Sequence, residues 1–469
     1  MPFASQKKFS LLAASVSLSL ISSQGHAAGF GIIEQSITGL GSAFSSGSAG
    51  AGDGGTIYFN PAGMSFLDNK KEITLGAHII DPNAKFKNEG SVHVTTAALT
   101  GSNESDAGPV ALVPNFYYTR PLNDKWIFGF GMNAPFGLVT EYDDDWVGRY
   151  HALTSDLKTV NLNPSFSYKA NDRLSIGFGV SAQYIKAKLS NAIDYGGICF
   201  IGENITIPPA TSPELPAGFC AANNLESQLD DGEAEVTGDD WSLGYNFGLM
   251  WQASDKTRIG LAYRSRIKHK LEGEADFDTP SDPGTGDARA IAAGNGLVDG
   301  DVVAKVTLPD SLSIGFDHKV NNKLTVNGDL TWTNWSLLDE LRVEFDTGAD
   351  DNVTTLDWHD SNRYSLGLTY VQDNRWTWRA GIAYDEATQK GDENISVRVP
   401  DNDRLWLSVG FTYSPSKDMN VDFGYAHLFV DDVDINKSLA DTENLTRGQL
   451  TGEYSLDVNI LSAQARWAF

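Results

Sequence analysis

Apolar residues alternate one for one with small or polar residues through stretch after stretch of this 469-residue chain. Ile176, Phe178, Val180, Ala182 and Tyr184 interleave with Ser175, Gly177, Gly179, Ser181 and Gln183. Leu405, Leu407, Val409, Phe411 and Tyr413 do the same with Arg404, Trp406, Ser408, Gly410 and Thr412. Successive side chains of a strand point to opposite faces, so each stretch reads as a strand with one apolar face. A soluble sandwich buries that face, whereas an outer-membrane barrel turns it toward lipid. The connections separate the two. Short turns near Asn123, Asn171, Ser254, Asn321, Asp373 and Ser416 alternate with much longer polar segments at 82–108, 136–155, 189–238, 275–301, 347–352, 387–398 and 432–452. Barrels have short periplasmic turns and longer external loops, and a sandwich has no reason to sort its connections. Six short turns and seven long loops join 14 strands. They are expected at 72–81, 110–120, 125–135, 157–169, 173–188, 239–253, 257–274, 303–319, 323–346, 354–372, 375–386, 399–413, 418–431 and 453–469. The fold class is all-β, a 14-stranded antiparallel transmembrane β-barrel spanning residues 71–469.

Residues 1–27 read as a signal peptide. Lys7 and Lys8 form its positive start, residues 9–21 its apolar stretch, and Gly25-His26-Ala27 its cleavage site. At 13 residues the apolar stretch is too short to span a bilayer as a helix, which takes roughly 20. An exported chain meets an oxidising compartment, so Cys199 and Cys220, the only two cysteines, are expected to pair. The net charge of -26 argues against nucleic acid as a partner. No nucleophile, metal or nucleotide motif is present, so neither an enzyme, a cofactor nor a metal is expected. An Asp432-x-Asp434-x-Asn436 run has Lys437 where a calcium loop needs glycine. The acidic loops are read as solubilising surface.

Residues 28–70 break the alternation. They are rich in Gly, Ser and Ala, and Asn60-Pro61-Ala62 has the form of a helix start with Asn60 as cap and Pro61 in the first turn. Small residues suit a segment packed inside a barrel. The last strand presents Leu461, Ala463, Ala465, Trp467 and Phe469 on one face. Tyr454, Leu456, Val458 and Ile460 have the opposite parity, which a bulge near Ile460-Leu461 would reconcile. A terminal aromatic strand is similar to the signal read by the barrel assembly machinery, an expected partner.

Four sets of residues together resemble the FadL-like long-chain fatty-acid transporters, a family that includes aromatic-hydrocarbon uptake proteins. They are Ala28-Gly29-Phe30; Gly39-Leu40-Gly41-Ser42-Ala43-Phe44 followed by Asn60-Pro61-Ala62; Asn133 to Thr140; and Thr257 to Ser265 with 302–312 and Trp332-Thr333-Asn334-Trp335 behind it. The resemblance runs in order along the whole mature chain. It implies a monomer in the Gram-negative outer membrane, among lipid and lipopolysaccharide, plugged by an N-terminal hatch of short helices. It also implies an apolar groove between external loops, a tighter site inside that takes Phe30, and an inward kink in the third strand. Gly129, Gly131, Asn133 and Pro135 are the residues of this chain that would make that kink a lateral gate, since Pro gives no N–H to the ladder and Gly tolerates bends.

A carboxylate ligand needs apolar wall plus a cation. Parity directs Arg264, Arg266, Lys268, Lys305, Arg379 and Arg404 into the lumen, together with Trp406. The bland alternative is pairing with lumen acids such as Asp317 and Asp329. The function expected is passive uptake of hydrophobic compounds, with long-chain fatty acids first, monoaromatic hydrocarbons or alkanes second, and a general diffusion porin third.

Overall fold

The computed structural model describes residues 29–469 except 69, 206–214, 230, 281–285 and 390. The signal-peptide expectation falls outside these residues. Fourteen strands form a closed antiparallel barrel. They are β1 (Glu72–Asn88), β2 (Ala111–Pro121), β3 (Trp126–Asn133, resuming at Gly137–Glu141), β4 (Thr154–Asn171) and β5 (Leu174–Asp194). There follow β6 (Asp231–Gln252), β7 (Thr257–Arg264, then Ile267–Asp278), β8 (Gly300–Leu308, then Ser311–Lys319) and β9 (Leu324–Thr333). The wall is completed by β10 (Ser361–Val371), β11 (Trp376–Asp385), β12 (Arg404–Tyr413), β13 (Met419–Val430) and β14 (Leu450–Ala468). β14 pairs with β1 from Glu72–Ala468 to Asn88–Gly452, so the sheet has no free edge there. No helix among the described residues is long and apolar enough to cross a membrane.

Alternation along each strand sorts the two faces. On β10, Tyr364, Leu366, Leu368 and Tyr370 are exposed on the outside while Ser361 and Arg363 are buried within. Apolar-out is the arrangement of a lipid-facing barrel. Asn60 caps the N–H of Ala62 at 3.1 Å, and Pro61 opens the 3-10 helix Pro61–Phe66. The same Asn60 side chain donates to the carbonyl of Ser48 and, at 3.2 Å, to that of Leu249 on β6. A Cβ on Gly177 or Gly248 of the wall would stand 2.2 Å from Ala62 N or 2.0 Å from the Asn60 side chain, so glycine there lets the two backbones meet.

Four expectations need correction. β14 has no bulge at Ile460-Leu461, because its register with β1 and β13 is continuous. Tyr454, Val458 and Ile460 simply face inward, since the upper lumen is itself apolar. Arg266 and Lys305 do not face the lumen. The strand pair β7–β8 is interrupted at Ser265-Arg266 and Pro309-Asp310, and β7 there carries one residue more than β6 opposite it. An extra residue moves every later side chain to the other face. Arg264 is therefore inside, while Arg266 pairs with Asp310 (3.0 Å), Lys305 pairs with Glu344 (2.8 Å) on the outer wall, and Lys268 is exposed.

Candidate functional site: two apolar cavities and a break in the wall

Pro135 has no N–H, and the third strand stops beside it. Residues 134–136 of β3 stand opposite only Val160 and Thr159 of β4, a one-residue bulge between the Asn133–Asn161 and Gly137–Lys158 pairs. On the other side, the ladder between β2 and β3 runs from Pro121–Ile127 to Phe116–Met132 and goes no further. The backbone groups freed here find partners in the N-terminal segment. Ile32 N donates to Pro135 O (2.9 Å), Gly137 N to Phe30 O (2.9 Å), and Gln35 Nε2 to Ala134 O (2.8 Å). Thr159 Oγ1 serves Phe136 from the β4 side. Residues 30–35 thus lie as a strap across the break.

Phe30 sits in an aromatic knot with Phe136, Trp335 and Trp358, at ring-centroid distances of 6.1, 5.1 and 5.6 Å. The knot stands between two cavities. The outer one is walled by Phe30, Leu157, Leu271, Val306, Leu341 and Trp358, with Arg398 as its cation. The inner one contains Arg264 and Arg363 and is bordered by Pro135 and Phe136 of the break. Arg398 donates to Thr154 O, Ser155 Oγ, Ser190 O and Asn191 Oδ1, all of them neutral. Burial pushes its guanidinium down to about 9, with the charge of Arg447 adding to the effect, so it stays charged at neutral pH. Arg264 donates to Tyr58 O (2.7 Å) and stacks 4.1 Å from the Tyr58 ring. Arg363 donates to Ala43 O (3.0 Å), lies 4.9 Å from the Trp406 ring, and leaves its buried Nε without a hydrogen bond.

The structure brings Phe30, Arg264 and Pro135 together around these cavities and places other expected residues elsewhere. Trp406 is fully buried against Phe44, with ring centroids 6.2 Å apart, and lines neither cavity. Arg379 lines a separate polar cavity on the periplasmic side and bonds Thr412 (2.7 Å). Arg404 is bound in a buried pair with Asp401. Asn133 accepts from Asn161 at 3.2 Å beside the break. Gly129 and Gly131 face inward, where a Cβ would meet Met64 Sδ at 2.4 Å and the Tyr117 ring at 3.1 Å, so their smallness admits Ile57 and Met64 against the wall. Cys199 and Cys220 form a disulfide with Cα atoms 5.9 Å apart. Sequence reasoning missed Arg363, Arg398 and the knot partner Trp358. Arg363 follows from the parity of β10; Arg398 sits in a loop, where no periodicity exists to find it.

Comparison with known proteins accords with this geometry. The family model described as "Outer membrane protein transport protein (OMPP1/FadL/TodX)" matches residues 18–469. The chain is 32% identical to the long-chain fatty acid transport protein of Escherichia coli O6:H1, over 90% of this chain and 91% of the relative. It is 32% identical to outer membrane protein P1 of Haemophilus influenzae, over 94% and 95% of the two chains. A solved Pseudomonas aeruginosa FadL homologue superposes with a TM-score of 0.83 at 24% identity, covering 94% of this chain and all of the other. The Pseudomonas putida toluene transporter TodX gives 0.65 at 19% identity, covering 95% and 99%. The chain is a member of the OMPP1/FadL/TodX family of outer-membrane transport proteins.

Proposed function

We propose that this transporter of hydrophobic compounds takes up long-chain fatty acids, holding the carboxylate at Arg398 in the outer cavity and then at Arg264 and Arg363 in the inner one. Residues 28–70 act as the hatch, and the ligand leaves sideways through the break in β3. The observation that carries the substrate is Arg398: a half-buried guanidinium whose hydrogen bonds all end on neutral atoms, in a largely apolar wall whose one carboxylate, Asp156, is already paired with Lys158. A buried charge favours a counter-charge, which a fatty acid brings and a hydrocarbon lacks. The relatives named for long-chain fatty acid transport are also nearer in sequence than the toluene transporter. Lateral release avoids re-exposing the chain to water, at about 0.8 kcal/mol per CH₂. The strap is held by a few hydrogen bonds of about 0.5–1.5 kcal/mol each, well within what burying a long acyl chain supplies.

Arg398→Gln is expected to weaken oleate binding by about tenfold, the scale of one charge-assisted hydrogen bond, and to leave oleate methyl ester unaffected. Equal losses for acid and ester, measured by titration of the purified barrel, would point to an uncharged substrate.

A further inference from the structure

Where β7 climbs out of the membrane toward the external loops, its outer face carries an ordered run of charge. Every second residue from Arg266 to Asp278 points outward: first Arg266, Lys268 and Lys270, then Glu272, Glu274, Asp276 and Asp278, all of them exposed. The bases are therefore nearest the lipid and the acids furthest from it. Neighbouring strands add bases at the lower level. Lys305 of β8 stands directly opposite Lys270. On β5, Lys186 and Lys188 follow Tyr184 on the outer face, with Lys186 in one row with Asp239 of β6 and Glu272 of β7. Beneath these bases lie the ring pairs Tyr184–Trp241 and Tyr245–Tyr263, with centroids 5.4 and 6.1 Å apart. Such aromatic belts mark the bilayer interface. Two lysines side by side cost stability, and Lys270 and Lys305 turn to acids of their own, Glu272 and Glu344. Lys186 and Lys268 have no acid partner among the described residues.

Other sectors of the rim are built differently. On β9–β12 acids cap the belt directly: Trp332 Nε1 donates to Asp360 (3.2 Å) and the Tyr384 hydroxyl to Asp403. On β1, Lys85 and Lys87 are matched across the sheet by Asp106, Glu104 and Glu453. Beside Lys268 the wall also offers an apolar footing. The ladder between β6 and β7 lapses from the Asn246–Arg264 pair to the Asp239–Glu272 pair. Ser242 Oγ donates to Lys268 O (2.6 Å) and Lys270 N to Asp240 (3.3 Å) in its place. Leu243, 71% exposed, and Trp241, 56% exposed, flank that contact. We propose that the outer face of β5–β8 binds a phosphorylated glycolipid of the lipid A type from the outer leaflet. Lys186, Lys268 and the Lys270–Lys305 pair hold its phosphates, and Leu243 and Trp241 support its acyl chains. Clustered bases at a bilayer surface attract anionic headgroups, and an ammonium on a phosphate makes a charge-assisted hydrogen bond. The bases span four adjacent strands, about 14 Å of wall at about 4.8 Å per strand. That width suits a disaccharide carrying two phosphates, whereas a single phosphate would leave most of the tier unused. The acids above repel phosphate and so fix its depth at the basic tier.

The test titrates the full barrel, delipidated in detergent, with bisphosphorylated lipid A and reads bound lipid by native mass spectrometry. Wild-type protein is expected to retain one lipid A. Lys186→Gln, Lys268→Gln and Lys305→Gln together weaken binding about tenfold or more, while arginine at the same three positions preserves it. Asp360→Asn with Asp403→Asn, on the acidic sector, leaves binding unchanged. Lipid A stripped of its phosphates binds wild type as weakly as intact lipid A binds the glutamine variant. Phosphatidylglycerol binds several-fold more weakly than lipid A, and excess inorganic phosphate does not displace it, which separates the glycolipid from other sources of phosphate. Oleate binding is the same in all variants, because none of these side chains faces the lumen, so the site stands or falls apart from the transported compound. Heat-modifiable gel migration verifies assembly, and Lys268→Gln alone, expected to lose about threefold, carries the test if the triple variant assembles poorly. Equal binding of lipid A by wild type and the glutamine variants overturns the site, as does equal binding with and without phosphates. Binding that EDTA abolishes and the glutamine changes leave intact also overturns it, and assigns the lipid to divalent ions held by the acids.

Discussion

The barrel wall is interrupted twice, and the two interruptions are sealed by different parts of the chain. At Ser265-Arg266 and Pro309-Asp310 the wall repairs itself. Ser265 N donates to Tyr245 O and its Oγ accepts from Tyr245 N, both at 2.9 Å. Asp310 gathers Arg266 (3.0 Å), Asn334 (3.0 Å) and Tyr263 (3.3 Å) from neighbouring strands. At residues 134–136 three of the bonds come instead from the N-terminal segment, which belongs to no strand of the barrel. Buried backbone groups must be paired in either case. A seal made of wall cannot leave without unfolding the wall; a seal made of a tethered strap can.

Removing the strap is the strongest way to test that difference. Deleting residues 30–60 is expected to raise single-channel conductance by an order of magnitude or more, since the lumen then lacks both the knot and the helices behind it. An unchanged trace in planar bilayers would place the barrier elsewhere. Fastening the strap comes next. A Gly31→Cys, Phe136→Cys cross-link should reduce oleate uptake more than tenfold, with recovery on reduction and oleate binding retained. Wild-type protein treated with the same reductant controls for the native disulfide. Healing the break is a third test. Deleting Ala134 removes the extra residue opposite β4, restores regular alternation through β3, and is expected to slow uptake several-fold in a correctly assembled barrel. It is a cleaner change than replacing Gly129 or Gly131, whose larger side chains would strike Met64, Ile57 and Tyr117. The smallest effect on transport belongs to the other interruption. Asp310→Ala should lower stability by about 1–3 kcal/mol, by leaving the polar groups around it without an acceptor, yet keep uptake within twofold of normal. A large uptake defect there, with assembly intact, would erase the distinction between the two seals.

Much of this was legible in the residues themselves. Alternation located all 14 strands, and Pro135 marked the interruption that borders the inner cavity. Arg264 faces the lumen, as its parity in an unbroken strand indicates, and Phe30 lies in the knot between the two cavities. Parity failed for Arg266 and Lys305 because nothing in Ser265-Arg266 or Pro309-Asp310 announces that both strands change face together. Such a bulge depends on the neighbours that satisfy it, here Tyr245 and Asn334, which lie 20 and 24 residues away.

What the sequence determined by itself is therefore the local part: strand, turn, the face each side chain takes within an unbroken strand, and the position where proline ends one. Those follow from the two-residue period and from single-residue chemistry, which need no partner distant in the chain. Only the tertiary structure decided that Asp401 holds Gly29, 372 residues away, and that Arg398 faces an apolar cavity from a loop without periodicity. Closing a sheet into a barrel brings every loop and the N-terminal segment into one narrow lumen. Which of them meet there is set by packing and by the need to pair each buried polar group, and no local pattern carries that information.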